Sequence, residues 1–355
     1  NNINKLNSGK LPIYEPKLLG YFKKYSNKNL FIRSKPKYAI KNKDYIFISL
    51  DTPVDENDEI DLTSLNKLFD LLVKYSTRKT TIIILSQVPV GTTRSLIRRL
   101  KSKTKVIYFP ENLRLGYAIS DFLKPSRIVL GIDNDDTAED FMRNFPIFGD
   151  RVLKMSIESA EMLKHALNSY LALNVSFSSE LCDLCELLGA NAKDVILGLK
   201  SDPRISPKAP IDPGLGFAGG TLGREIKTLI NLSSKYSYPA KLLKAIYSVN
   251  KDRLDYLLKK IKKIHPVLSG KKIGLLGLTY KPNTDTLRRS QSLEFAQMLI
   301  NKKVKVRTYD PVIKNLNLKY IDLRTSIKDF LKDLDMLILM TEWPQFQLID
   351  PELVS

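Results

Sequence analysis

The sequence predicts an α/β protein built as two parallel-sheet domains joined by a central helical domain. Three observations carry that prediction. Short β-branched runs alternate with helical patterns near the start, a long stretch of 3.6-residue periodicity follows, and the alternation of strands and helices then resumes.

In the first part, "DYIFISL" (44–50), "TTIIILSQVP" (80–89), "TKVIYFPE" (104–111) and "RIVLGID" (127–133) are short apolar runs rich in β-branched and aromatic residues, the composition of strands. Between them, "LTSLNKLFDLLVKYS" (62–76) and "TRSLIRRLKS" (93–102) have helical spacing, so a parallel sheet with crossover helices is expected. From Ser156, "SIESAEMLKHALNSYLALNVSFSSELCDLCELLG" contains no proline and ends at Gly189, which predicts one or two long helices. After a glycine-rich loop, "REIKTLINLSSKYS" and "AKLLKAIYSVNKDRLDYLLKKIKKI" (240–264) are helical again. A second α/β domain then begins with the strand "KKIGLLGLTY" (271–280), the helix "SLEFAQMLINKK" (292–303), and the strands "VKVRTYDP" (304–311) and "DMLILMTEW" (335–343). The expected domains are 1–150, 151–262 and 263–355, and no solenoid-period repeat interrupts them.

Composition narrows the function classes. The chain has 355 residues and 43% hydrophobic content, enough for more than one core. No apolar run approaches the ~18–20 residues of a membrane span, and no secretory signal pattern opens the sequence. Cys182 and Cys185 are the only cysteines. They sit one turn apart within a helical pattern, without the second pair or histidines a zinc site brings, so they read as buried apolar residues rather than a metal or redox centre. No metal site is expected, and a reducing, cytoplasmic setting is. The net charge of +19 raises nucleic acid as a partner. Basic residues are dense at the start, where Glu15 is the only acid before Asp44, but lysines are spread along the whole chain with no recognisable nucleic-acid motif. A solvated lysine-rich surface is the expected reading, with nucleic-acid binding the alternative.

The loop "GFAGGTLGRE" (216–225) packs four glycines around one phenylalanine and a lone threonine, a density that marks close approach of backbone to a partner, most often a phosphate or sugar. Open parallel sheets bind ligands beyond the carboxyl ends of their strands. Two such sheets flanking a helical spine therefore suggest two phosphorylated ligands.

Nine blocks carry a family resemblance, in the family's order: "LNSGKLPIYEPKL", "DTPVDENDEIDL", "SQVPVGTT", "PENLRLGYAISDFLKPSRIVLG", "EMLKHALNSYLALNVSFSSELCDLC", "GFAGG", "GLTYKPNTDTLRRSQSL", "YDP" and "TEWPQF". The chain resembles the UDP-glucose/GDP-mannose dehydrogenases, nucleotide-sugar 6-dehydrogenases that oxidise a sugar C6 alcohol to a carboxylate with NAD. The resemblance implies two Rossmann-like domains, the first for NAD and the last for the nucleotide sugar, with central helices forming a homodimer. It also implies a cysteine thiolate that captures the aldehyde for a second oxidation, since an aldehyde donates hydride poorly until a nucleophile makes it tetrahedral. The product class belongs to polysaccharide biosynthesis.

Residue by residue, the resemblance places Lys164 and Asn168 on the family lysine and asparagine, at i and i+4 of one helix face, where both could stabilise a developing alkoxide. A surface lysine and a helix-face asparagine are the plain alternative. Glu111 falls on the glutamate that manages water and proton. Thr52, Pro53, Gln87 and Arg288 fall on cofactor-binding positions. Phe217, Gly219, Gly220, Lys281 and Arg204 fall on substrate-binding positions. Ser290, beside Arg288, is expected to cap the following helix.

The departures gather where bonds change. Thr221 stands in the register of the nucleophilic cysteine, and a threonine alkoxide is far less accessible than a thiolate. His165 neighbours Lys164 but points about 100° away around the helix, so it is not an obvious base for Thr221. Glu225 replaces an aspartate, "LGR" an aromatic-Pro-Lys run, Gln87 a threonine, and Leu115 a second glutamate. The family's strand and G-x-G-x-x-G turn do not precede Asp44, so the sequence is expected to be a fragment of a longer protein. Three functions follow. The first is an NAD-dependent oxidoreductase limited to two-electron chemistry by loss of the cysteine. The others are a catalytically inactive sugar-nucleotide-binding homologue and a nucleic-acid binder.

Overall fold

The computed structural model describes residues 2–13, 15–54, 60–77, 79–101, 104–111, 113–114, 116–149, 151–318 and 320–351, so Leu115 lies outside the described residues. The backbone divides into two compact units, residues 1–166 and 167–355.

In the first unit, three short helices, α1 (Asn2–Asn7), α2 (Leu18–Tyr25) and α3 (Pro36–Ile40), precede strand β1 (Tyr45–Ile48). There follow α4 (Thr63–Tyr75), β2 (Thr81–Ile84), α5 (Thr92–Ile97) and β3 (Lys105–Tyr108). The unit continues through α6 (Ala118–Leu123), β4 (Ile128–Gly131), α7 (Asp135–Asn144) and β5 (Val152–Met155). The sheet order is β1-β2-β3-β4-β5. The β1/β2, β2/β3 and β4/β5 pairs are parallel, as expected. At one point β3 meets β4 antiparallel, through Tyr108 and Gly131. Gly131 makes that meeting possible. A Cβ on it would lie 3.2 Å from Tyr108 Cβ and 2.8 Å from Ala160 Cβ, so the bare backbone lets a helix and a strand close on it together.

Strand β2 reads "TIII" without alternation because both faces are covered, and Ile82, Ile83 and Ile84 are fully buried. On one face, Ile82 and Ile84 join Leu65, Phe69 and Leu72 of α4, whose i, i+4, i+7 spacing forms the seating stripe of that helix. On the other, Ile83, Ile107 and Leu130 pack with Phe141 of α7 and with Phe148. Each such fully buried side chain contributes roughly 1.5–3 kcal/mol. The sequence alone does not mark α7 or β5. Helix α7 has mixed charges but a sound start, the Asn134 side chain accepting from Asp136 N at 2.8 Å. Strand β5 is a four-residue edge strand without an alternating buried face.

The long periodic stretch is one helix, α8 (Ile157–Leu188), of 32 residues; it begins in the first unit, and its residues from Leu167 belong to the second.

The second unit continues through α9 (Ala192–Ser201), α10 (Leu222–Lys235), α11 (Lys241–Lys251) and α12 (Arg253–Ile264). Its α/β part contains β6 (Lys272–Leu276), α13 (Gln291–Ile300), β7 (Lys305–Tyr309), β8 (Asp322–Arg324), α14 (Ile327–Leu331) and β9 (Met336–Leu339). The strand order β8-β7-β6-β9 is parallel throughout. Its core joins Ile273 and Leu275 of β6 to Phe295 and Leu299 of α13 and to Leu258 and Ile261 of α12. The single helix read over 240–264 is interrupted at Asp252, whose ψ of −5° turns the chain between α11 and α12.

Candidate functional site

In the first unit the candidates gather at the carboxyl ends of β1 and β2. Thr52 is buried, and its hydroxyl donates to the Gln87 carbonyl at 2.7 Å, which stitches the two strand-end loops together beside the exposed Pro53. The neighbouring start of α5 is already occupied. Glu161 of α8 is fully buried and accepts from Gly91 N at 2.6 Å and Thr93 N at 2.8 Å. Burial pushes its carboxyl above the ordinary glutamate value, while those amides pull the other way. One turn earlier Glu158 takes Arg94 Nε at 2.8 Å, and this guanidinium holds its carboxyl below the ordinary range.

Lys164 and Glu111 are brought together, but through backbone. Lys164 is buried, and its Nζ donates to the Glu111 carbonyl oxygen at 2.5 Å. The Glu111 carboxylate turns instead to its own loop, accepting from Leu113 N at 2.6 Å. The His165 Nε2 lies 3.0 Å from the Val88 carbonyl, which accounts for this histidine structurally.

In the second unit Asn168, also on α8, is 6% exposed, and its Nδ2 is a buried donor with no acceptor among the described residues. Buried polar groups are almost always paired, with protein or with water, so this donor has hydrogen-bonding capacity to offer.

The glycine loop is answered chiefly by protein. Gly216 has φ +96°, and a Cβ there would reach 2.4 Å from Asn250 Oδ1. Gly219 has φ +78° and faces the Tyr280 ring, with a Cβ distance of 2.9 Å; Gly220 faces the Arg288 guanidinium, with Nε at 3.0 Å. Each glycine therefore admits a side chain from a distant segment. Lys281 Nζ stands 5.6 Å from the Tyr280 ring centroid, so the loop, Lys281 and Arg288 form one cluster. Phe217 is buried, with Ala172, Ile226 and Ile246 in its hydrophobic cluster.

Thr221 is exposed at the N-cap of α10 and makes no side-chain cap hydrogen bond. Glu225, one turn on, is fully buried, with Arg224 Nε 3.2 Å from its carboxylate. Arg204 is 87% exposed at its side chain and is bound to Asp202. Both cysteines are free thiols on α8. Cys185 is buried, and burial pushes the Cys182 thiol above its ordinary value, the reverse of what a thiolate nucleophile needs. Among the described residues no group of three or more His, Cys, Asp or Glu could hold a metal.

Sequence reasoning assigned no role to Asp310, the middle of "YDP". It is fully buried at the end of β7. Its Oδ2 accepts from Leu278 N, Thr279 N and Trp343 Nε1, and its Oδ1 from Val312 N and Ile313 N. Asp310 thus ties the ends of β6, β7 and β9 and sets the backbone that leads into Tyr280 and Lys281. Ser290 caps α13 as expected, accepting from Leu293 N, and also donates to Leu278 O at 2.5 Å.

At the strand ends of the first unit the Thr52–Gln87 hydrogen bond joins two loops, and Glu161 occupies the amides of Gly91 and Thr93 at the start of α5. Fold and loops define a nucleotide-binding α/β protein with two parallel-type sheets. Within that class, the chain belongs to the UDP-glucose/GDP-mannose dehydrogenase family. The family's NAD binding domain matches residues 1–147, its central domain 158–252, and its UDP binding domain 274–355. A UDP-glucose 6-dehydrogenase of Rickettsia felis is 35% identical over 97% of this chain and 80% of its own length. The UDP-glucose 6-dehydrogenase TuaD of Bacillus subtilis is 29% identical over 97% of this chain and 77% of its own. A UDP-glucose dehydrogenase structure from Pyrobaculum islandicum superposes with a TM-score of 0.88 at 27% identity, covering 98% of this chain and 84% of that one. NAD is accordingly the cofactor of the family to which the chain belongs. Among the described residues no helix is long and apolar enough to cross a membrane.

Proposed function

We propose that the protein oxidises the C6 alcohol of a UDP-sugar to the aldehyde and stops there. The observation that carries this reading is the buried Asn168 Nδ2, a donor without an acceptor among the described residues, four residues after Lys164 on α8. An amide in that state is suited to a sugar oxygen that gains negative charge as its proton departs, before hydride leaves C6. Lys164 supplies positive charge on the same helix, and Glu111 takes the hydroxyl proton. NAD, when bound, would supply the hydride acceptor, and Thr52, Pro53, Gln87 and Arg288 are the cofactor-binding positions that the family resemblance assigns. Phe217, Gly219, Gly220, Lys281 and Arg204 would hold the nucleotide sugar.

The arrest follows from Thr221. A second oxidation requires a nucleophile to add to the aldehyde carbon, and a threonine hydroxyl needs a base to do so. The nearby carboxylate, Glu225, is buried against Arg224. Both thiols of the chain lie on α8, away from the glycine loop in sequence.

The domain division 1–150, 151–262 and 263–355 remains our reading of how these tasks are shared. A homodimer is supported by Tyr170, Phe177 and Leu184, exposed at seven-residue intervals along α8, with Leu187 and Leu188 beyond them. Free cysteines support a cytoplasmic setting, where the product would feed polysaccharide biosynthesis.

Incubation with NAD and UDP-glucose tests the reading. At most one NADH per sugar is expected, with an aldehyde trapped by hydroxylamine. Two NADH per uronate would overturn the arrest, and UDP-glucose binding without NADH would favour an inactive binding homologue.

A further inference from the structure

From the way the glycine loop is held, we infer that Asn250 is a positioning residue: it sets the conformation in which the loop receives the nucleotide sugar. The inference rests on the proposed function, since it concerns the same site.

Asn250 lies at the end of α11, with no motif around it to draw attention. Its side chain grips one residue of the loop twice. Phe217 N donates to Asn250 Oδ1 at 2.7 Å, and Asn250 Nδ2 donates to the Phe217 carbonyl at 3.0 Å. A primary amide facing a backbone residue in this way uses its donor and acceptor together, which fixes the peptide planes on both sides of Phe217. The grip also explains Gly216. Its φ of +96° is one that side chains rarely adopt, and any Cβ there would collide with Asn250 Oδ1.

Packing alone does not hold the loop. Behind it lies a cavity of about 150 Å³, lined by Phe217, Ala218, Gly219, Asn250, Arg289 and Glu294 among others. That is room for water, so packing does not enclose the loop on that side. Two further hydrogen bonds brace its ends: Gln291 Nε2 donates to Leu215 O at 2.7 Å, and Gly219 N donates to Arg289 O at 3.2 Å. Asn250 holds the middle through hydrogen bonds, beside the packing of the buried Phe217 ring. Beyond Phe217, the chain delivers Gly219 to Tyr280, Gly220 to Arg288, and Thr221 to the start of α10. Losing the grip frees the segment that must be fixed before a ligand arrives, and ordering it then opposes binding.

The test compares wild type, Asn250→Ala and Asn250→Asp by calorimetry with UDP-glucose and by amide hydrogen exchange. Asn250→Ala is expected to weaken UDP-glucose binding at least 10-fold and to raise exchange of the Phe217 and Gly219 amides at least 10-fold. Exchange in β6 and β7 should stay unchanged. Asn250→Asp keeps the acceptor and loses the donor, so an intermediate effect on both readouts is expected; it also serves as the working variant should Asn250→Ala fail to fold. Wild-type affinity in either folded variant, or unchanged exchange at Phe217, would overturn the inference. Should wild type itself not bind UDP-glucose, the proposed function fails, while the exchange comparison still decides whether Asn250 sets the loop.

Discussion

Replacing Asp310 by alanine should cost a large share of the second unit's stability. The wild-type carboxylate is fully buried and satisfies four buried N–H donors: the amides of Leu278, Thr279 and Ile313 and the indole N–H of Trp343. A buried donor stripped of its acceptor costs about 1–3 kcal/mol. Water entering the vacated space recovers part of this, so the low end for four donors, about 4 kcal/mol, is the expected loss. Domains have only about 5–15 kcal/mol in all. The assay is urea unfolding followed by tryptophan fluorescence. Trp343 is the chain's only tryptophan and itself donates to Asp310, so the probe sits on the perturbed bond. Asp310→Asn should lose nearly as much, because one of its two polar atoms becomes a donor facing donors. A loss below about 1 kcal/mol in Asp310→Ala would refute the view that this carboxylate ties the strand ends together.

Three further outcomes are expected. Thr221→Cys should raise the yield from one to two NADH per UDP-glucose and produce the uronate, measured by absorbance and mass spectrometry; an unchanged ratio would show that the arrest lies elsewhere. Gly219→Ala, at φ +78° and against the Tyr280 ring, should destabilise by about 1–2 kcal/mol and weaken UDP-glucose binding, read by thermal unfolding and calorimetry. Arg94 lowers the Glu158 carboxyl, so this pair adds stability above the unfolded glutamate value, and the gain is lost as pH falls through the lower folded value. Glu158 is 40% exposed, so the gain is below about 1 kcal/mol, and Arg94→Met should flatten the acid limb of the unfolding midpoint by that much.

The sequence made the fold legible where period and burial agree. The "TIII" of β2 and the Leu65, Phe69 and Leu72 stripe of α4 announce a strand covered on both faces and the helix that covers it. Short edge elements escaped, because β5 and β8 are only 4 and 3 residues long and bury no continuous face. Candidate site residues were legible through motif blocks, yet their partners were not. Nothing local to Lys164 says that it meets the carbonyl of Glu111 rather than its carboxylate. Nothing local to "YDP" says that Asp310 collects N–H groups from three strand ends, since those contacts span up to 33 residues.

The glycine loop shows why matching a motif locates a site more surely than it defines the chemistry there. A glycine is required wherever anything approaches the backbone, and the sequence does not say what approaches. Here Gly216, Gly219 and Gly220 admit Asn250, Tyr280 and Arg288. Those contacts depend on shape, so they persist whether or not the next residue carries sulfur. Reactivity depends on one atom at Thr221, and that atom makes no contact the loop needs, since its side chain caps nothing. Exchanging a thiol for a hydroxyl at such a position therefore leaves the architecture of a nucleotide-sugar site intact while removing its best nucleophile. On the proposed reading, this is the physical ground for expecting binding and the first oxidation to outlast the second.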